Sequence, residues 1–196
     1  MKRMQGISGV PEYGWEEFRT KASEYCVLIP VINEGERIRK ELERARKSGV
    51  PEEADIILCD GGSTDGSMEP EYLKAVGVSA LLVKHGAGKQ GAQLRMGMHF
   101  AMNRGYKGVV TIDGNNKDSI EDVPEFLKKL EEGYDFVQGS RFIRGGRAVN
   151  TPLIRLLSLR LLHAPVISLT AGKWYTDTTN AYRGYSMPYL LDDRVQ

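Results

Sequence analysis

GVVTIDGNNKD, residues 108–118, decides how this chain folds. Val109, Val110, Thr111 and Ile112 form a β-branched run with the composition of a strand buried on both faces. It breaks into Asp113, Gly114, Asn115, Asn116, Lys117 and Asp118, all turn formers or polar side chains, which predicts the loop at that strand's carboxyl end. In open α/β sheets, ligands bind in the crevice at those ends. The carboxylate of Asp113 and the amide oxygen of Asn115 sit two residues apart, so both can face one hard cation or a ligand's hydroxyls. A plain polar turn, with the next helix capped near Ser119, is the alternative reading of this stretch.

Working outward, the same pattern recurs. Tyr25–Val31 (YCVLIPV) reads as a buried strand that stops at Asn33-Glu34-Gly35, and Asp55–Cys59 (DIILC) as another that opens into DGGSTDGS at 60–67. Between them, residues 34–48 carry Ile38, Leu42 and Ala45 on one stripe of a charged helix that Gly49 and Pro51 end. A short helix at 69–76 leads to a strand at 80–84. Gly86-Ala87-Gly88-Lys89 turns into a long helix at 90–103 with Leu94, Met98 and Ala101 at helical spacing. A helix at 123–132 and a strand at 135–138 follow the acidic loop. Near the start, Trp15-Glu16-Glu17-Phe18-Arg19 reads as the beginning of a short helix. Strands alternating with helices predict an α/β fold of βαβ units around a mainly parallel sheet. Right-handed crossovers then bring Asn33-Glu34, Asp60 and Asp113 to one edge.

The totals set limits. A chain of 196 residues suits one domain with a substantial core. Its 41% hydrophobic and 27% charged residues are ordinary globular values. A net charge of +1 argues against a nucleic-acid partner held by bulk electrostatics. Cys26 and Cys59 lie in apolar runs without CxxC or CxxH spacing, which fits buried, reduced thiols in a cytoplasmic protein rather than zinc ligands. The opening residues lack the apolar core of a signal peptide, and no apolar run is long enough to span a membrane.

Familiar nucleotide and hydrolase devices are missing. Gly86–Lys89 is too short for GxxxxGK[ST], and Gln90 stands where a hydroxyl is needed. No GxGxxG follows the first strand of the βαβ series. No serine sits in GxSxG, and His99, within a helical apolar pattern, reads as a packed residue.

Five strings in order, VLIPVINEGERI (27–38), DIILCDGGSTDGS (55–67), GKQGAQLRMGMHFA (88–101), GVVTIDGNNKD (108–118) and DFVQGSR (135–141), resemble the family 2 glycosyltransferases, especially the polyprenyl-phosphate sugar synthase branch. The resemblance implies a GT-A fold, Rossmann-like, with a helical and loop acceptor-side segment after about residue 141. It also implies inverting transfer of a sugar from a nucleoside diphosphate donor, UDP- or GDP-linked. By position, Pro30, Ile32 and Glu34 would line the nucleoside pocket, and Leu58 and Asp60 would flank base and ribose. Lys89, Gly114 and Lys117 would join them around the donor. Asp113 matches the first acid of the family's DxD signature, with Asn115 where the second belongs, and these two would hold Mg²⁺ or Mn²⁺. Lys117 stands where relatives often carry a glutamine. Arg141 would face donor or acceptor phosphates. A cation stabilises charge building on the leaving diphosphate without proton transfer, and arginine supplies a planar fork matched to phosphate. A neutral oxygen at 115 and a cation at 117 predict a weak metal site.

Beyond Arg141, Asn150 or Thr151 followed by Pro152 predicts a helix start. The apolar run 153–169 contains Arg155, Arg160 and His163. One reading is a helix lying on a membrane surface, with Arg155 meeting the phosphate of a lipid-linked acceptor. The other is a core or dimer-interface helix in a homo-oligomer, its arginines reaching outward. Asp177, in WYTDTTNAYRGY (174–185), is the candidate general base if the acceptor is a hydroxyl, and a loop-ordering group if it is already an anionic phosphate. Residues 1–24 are expected as an extension and 25–196 as a single GT-A domain. Relatives normally continue beyond this point, so truncation after Gln196 is a further expectation. The location expected is cytoplasmic, peripheral to a membrane's inner face. A catalytically idle sugar-nucleotide binder of the same fold is the main alternative. An actin-like kinase, with DGGSTDGS as its phosphate loop, would need that loop within a hairpin.

Overall fold

The computed structural model describes residues 2–4, 9–146 and 153–195. In chain order the elements are β1 (Lys2–Met4), β2 (Tyr13–Glu17), β3 (Tyr25–Val31), α1 (Glu36–Lys47), α2 (Val50–Glu53), β4 (Asp55–Asp60), α3 (Pro70–Ala75), β5 (Val78–Lys84), α4 (Gln90–Asn103) and β6 (Gly108–Thr111). A 3₁₀ turn at Ile120–Asp122 leads into α5 (Val123–Glu131), followed by β7 (Phe136–Gln138). Then come α6 (Leu153–Ser158), a π-helical turn at Leu159–His163, α7 (Ala164–Ala171), β8 (Arg183–Ser186) and α8 (Met187–Leu190). The chain forms two compact units, Met1–Val137 with Gly184–Gln196, and Gln138–Arg183.

Eight strands make one sheet in the order β1-β2-β5-β4-β3-β6-β8-β7. Its centre is parallel, with β3 pairing to β4 and β6, and β4 to β5. β2 runs antiparallel to β5, and β1 to β2, so the sheet is mixed. Here the expectation for Trp15–Arg19 fails: Tyr13–Glu17 is a strand, not the start of a helix. Pairing with the edge of β5 decides it. Tyr13 is buried in the core, and Trp15 packs against that core and edge-on to Phe100. Tertiary pairing overrides a weak local helical preference.

Val27, Leu28 and Ile29 in β3, Ile56, Ile57 and Leu58 in β4, and Val109 and Val110 in β6 have no solvent exposure, as strands covered on both faces require. Helix α4 begins and ends where its apolar spacing predicts. It lies flush on the sheet at Gly97, where a Cβ would stand 2.5 Å from Cys59 Sγ and 3.2 Å from Leu28 Cδ1. Gly49, at φ 79°, adopts the left-handed backbone that ends α1 and starts α2.

Asp55, at the foot of β4, is fully buried and ties the strand to its surroundings. Its carboxylate accepts from Ser79 Oγ at 2.9 Å, Tyr106 Oη at 3.0 Å and the backbone N–H groups of Ala22 and Ser23 at 3.0 and 3.2 Å. Arg19 stands 3.3 Å away as its counter-charge. The expected cap at Asn150 or Thr151, with Pro152, lies outside the described residues.

Candidate functional site

Because β3, β4, β5 and β6 are parallel, their carboxyl ends share one rim, and the loops leaving it are laced together. Asn33 N–H donates to Ser63 Oγ at 2.9 Å, and Asn33 Oδ1 accepts from Thr64 N–H at 2.8 Å. Asp65 accepts from Gly35 N–H at 2.8 Å, which joins the loop after β4 to the N-terminus of α1. The 60–67 loop thus bridges parallel strands rather than forming a hairpin, which removes the kinase reading.

A cavity of about 430 Å³ opens on this rim. Pro30, Val31, Ile32 and Glu34 line it from β3 and its loop, and Asp113, Gly114 and Asn115 from the loop after β6. Lys84, Lys89, Gln90 and Gln93 close it from the end of β5 and the start of α4, with Gly61 between. Seven of the residues expected around the donor therefore meet in one place: Pro30, Ile32, Glu34, Lys89, Asp113, Gly114 and Asn115.

Other expected residues sit elsewhere. Leu58 is sealed within the core. Asp60 is buried, and its carboxylate accepts from Ser63 N–H at 3.0 Å and Ser63 Oγ at 2.6 Å, so it shapes its own loop while Gly61 lines the cavity. Lys117 is exposed, near enough to Asp113 to lower its pKa.

Gly114 allows the acidic loop to lie against β3: a Cβ there would stand 2.5 Å from Val31 Cγ1. Asp113 is partly buried, and burial raises its pKa against the opposing pull of the Gln90 hydrogen bond and the Lys117 charge. Asn115 Oδ1 accepts from Lys117 N–H at 3.1 Å, a side-chain turn that keeps the amide oxygen in the loop. Among the described residues no three His, Cys, Asp or Glu side chains gather to hold a metal unaided. One carboxylate beside one amide oxygen suits a hard cation that completes its shell with water and substrate phosphate.

Three residues at the site escaped the sequence reading. Gln90 donates to Asp113 Oδ1 at 2.5 Å, and Gln93 reaches under the rim to Val31 O and Cys59 O. Their spacing of three along α4 was the available signal. Glu41 had none, because it looks like one more acid on a charged helix. It is fully buried, and its Oε2 accepts from Asn116 N–H at 2.8 Å, holding a residue at φ 58°. Burial pushes its pKa up to about 8, outweighing the lowering effects of the Asn116 N–H and Arg44. One turn on, Arg44 donates to Asn116 Oδ1 at 2.8 Å and pairs with Glu121, so α1 grips the acidic loop from behind.

In the second unit, Asp177 is 1% exposed and receives Arg141 Nε at 2.7 Å and Nη2 at 3.0 Å. Burial alone would raise its pKa, but hydrogen bonds from the Arg141 side chain, Arg141 N–H and Thr179 N–H lower it. Arg141 also donates to Thr179 Oγ1. Arg155 lies on α6, and its side chain is outside the described residues. The helical run from Leu153 to Ala171 turns large apolar side chains to solvent, Ile154, Leu161, Leu162 and Leu169 among them, with Leu169 82% exposed. No helix among the described residues is long and apolar enough to cross a membrane.

A family model described as glycosyl transferase family 2 matches residues 26–190. Glycosyltransferase AglJ of Haloferax volcanii is 30% identical over 167 residues, covering 85% of this chain and 52% of that protein. Undecaprenyl-phosphate mannosyltransferase of Micrococcus luteus is 32% identical over 161 residues, covering 81% of this chain and 64% of that protein. The chain thus spans between half and two thirds of the length of these curated relatives. Among solved structures, glucosyl-3-phosphoglycerate synthase of Mycobacterium tuberculosis, in complex with Mn²⁺ and UDP-glucose, superimposes with a TM-score of 0.55 at 22% identity. That match covers 83% of this chain and 55% of the other. At that identity the likeness bears on the fold, which is of the GT-A kind.

Proposed function

The chain belongs to glycosyl transferase family 2, and from that premise we propose that it moves a sugar from a UDP- or GDP-linked donor to a lipid-linked phosphate at a membrane surface. The observation that carries this reading is the meeting of Glu34, Lys89, Asp113 and Asn115 around one cavity at the ends of parallel strands. Pro30 and Ile32 form its nucleoside side, and Gly114 lets the acidic loop approach.

Asp113 and Asn115 fit a shared divalent cation, Mg²⁺ or Mn²⁺, which when bound offsets the negative charge of the leaving diphosphate. The donor set is sparse, with one neutral oxygen and Lys117 close by, so the protein's own hold on the cation is weak and the diphosphate supplies much of it. The structural relative in complex with Mn²⁺ and UDP-glucose supports the pairing of metal and nucleotide.

Arg141 gives Nε and Nη2 to Asp177, which fixes the plane of its guanidinium, and is assigned to face the donor or acceptor phosphates. A buried carboxylate with a lowered pKa is a poor proton acceptor. An anionic phosphate acceptor needs no base, so Asp177 orders its loop in this mechanism. Arg155 is assigned to the acceptor phosphate, in keeping with the Micrococcus relative, whose name specifies undecaprenyl phosphate. The exposed apolar residues of 153–171 support docking at the inner face of a membrane. Residues 25–196 are taken as the glycosyltransferase domain.

The neutral Asn115 favours a second reading, a sugar-nucleotide binder without turnover. Calorimetric titration with UDP and GDP sugars, with and without Mn²⁺, followed by transfer to undecaprenyl phosphate, separates the two. The expected result is binding strengthened by Mn²⁺, with Asp113→Ala removing about tenfold or more of the affinity, and measurable transfer. Equal affinity with and without Mn²⁺ removes the metal role, and binding without transfer to any acceptor supports the second reading.

A further inference from the structure

We infer that Lys84 and Gln93 read the donor's nucleobase, selecting bases that present a ring carbonyl beside a ring N–H, the edge shared by uracil, thymine and guanine. The inference rests on the cavity being the donor site and goes on to specify which donors it takes.

Lys84, the last residue of β5, lines the cavity although only 8% of it is exposed. Its Nζ donates to Gly86 O at 2.5 Å, and no carboxylate among the described residues pairs with it. With no counter-charge beside it, Lys84 keeps N–H donors for an oxygen of whatever occupies the cavity. Gln93, 3% exposed, lines the same cavity. Its Nε2 donates to Val31 O at 2.5 Å and to Cys59 O at 2.8 Å, which commits both amide hydrogens. Reversing the amide would set Oε1 against two carbonyl oxygens, so the orientation is fixed by the backbone. What remains is Oε1, an acceptor for which the described residues supply no donor.

The two side chains belong to one spot on the rim. In the β4–β5 register Asp60 stands opposite Val83, which places Lys84 beside Gly61. A Cβ on Gly61 would come within 2.9 Å of Gln93 Nε2. In the order β5-β4-β3-β6, Lys84 stands three strands from the Asp113 loop, about 14 Å at ordinary strand spacing, with Gln93 between them over the ends of β4 and β3. With the diphosphate at Asp113, the base falls at the Lys84 end.

A cationic donor beside a fixed acceptor complements C=O next to N–H. Cytosine and adenine present the reverse, an amine beside an unprotonated ring nitrogen. They would leave Lys84 facing an amine and Gln93 facing a lone pair. A site built of buried polar groups discriminates strongly against such a mismatch.

The test is calorimetric titration of the full chain, in saturating Mn²⁺, with UDP, GDP, CDP and ADP. UDP and GDP are expected to bind at least about tenfold more tightly than CDP and ADP, one mispaired hydrogen bond being worth that factor. Lys84→Met should bring the ratio close to one without lowering the melting temperature, and Lys84→Arg should restore most of it. Equal affinity for all four nucleotides in the unmodified protein overturns the inference while leaving the donor site standing. So does a Lys84→Met variant that weakens all four alike, since that marks a phosphate contact. No binding of any nucleotide would sink the donor site itself, and base selection with it.

Discussion

Glu41 shows how a single buried acid can set the pH response of this protein. The folded state keeps its proton up to about pH 8, whereas an ordinary glutamate loses it near 4.5. Between those values the native chain binds more protons than the unfolded one, so stability falls as pH rises through the window and levels off above it. Glu41→Gln keeps an acceptor for Asn116 N–H and removes the ionisation. The variant should match the parent near pH 4 and exceed it at pH 8 by on the order of a few kcal/mol, read as urea midpoints across that range. A parallel pH dependence in parent and variant would refute the assignment. The same residue marks a limit of sequence reading. Asp113, Asn115 and Glu34 are legible because each follows directly on a buried strand, and strand ends are where ligands bind. Glu41 acts through a backbone N–H distant in sequence, and no local pattern announces such a contact. Asp60 shows the converse: its place at the end of a strand is legible, whereas its hydrogen bonds to Ser63, three residues on, are seen only in the fold.

Among the elements, the parallel strands and α4 are readable because their periodicity is dictated by burial, on both faces for β3 and β4 and on one face for the helix. β2 is misread because YGWEE is too short to show alternation, and its identity comes from β5, far along the chain. The segment 153–171 is legible as helix, yet the apolar residues it turns to solvent resemble core residues in one dimension. That exposed face yields a prediction. The protein should co-sediment with vesicles containing anionic lipid, and Leu161→Glu with Leu169→Glu should release it at least about tenfold, given the apolar area withdrawn from the interface. Nucleotide affinity measured in solution should stay unchanged in this double variant. Retention on vesicles would refute the membrane role.

Across the whole molecule, the first unit depends on Asp55, which joins the segment around Arg19–Ser23, β4, β5 and the approach to β6 in one hydrogen-bonded cluster. Asp55→Ala would strand Arg19 and leave Ser79, Tyr106 and two backbone N–H groups without their acceptor. The expected cost is about 3–5 kcal/mol, read as a lowered melting temperature, whereas Asp55→Asn, still able to accept, should lose less. Equal stability of all three proteins would contradict the role given to Asp55.

The bare contact at Gly97 has a consequence for evolution by small steps. The helix rests on Cys59 and Leu28 with no room for a methyl group, while Gln90 and Gln93 project from its opening turns. Thickness at that contact is therefore a height adjustment for the amides above. One added carbon there, buried and one turn along from Gln93, would push the helix off the sheet and shift the seats of both glutamines, so a residue that never lines the opening still bears on its shape.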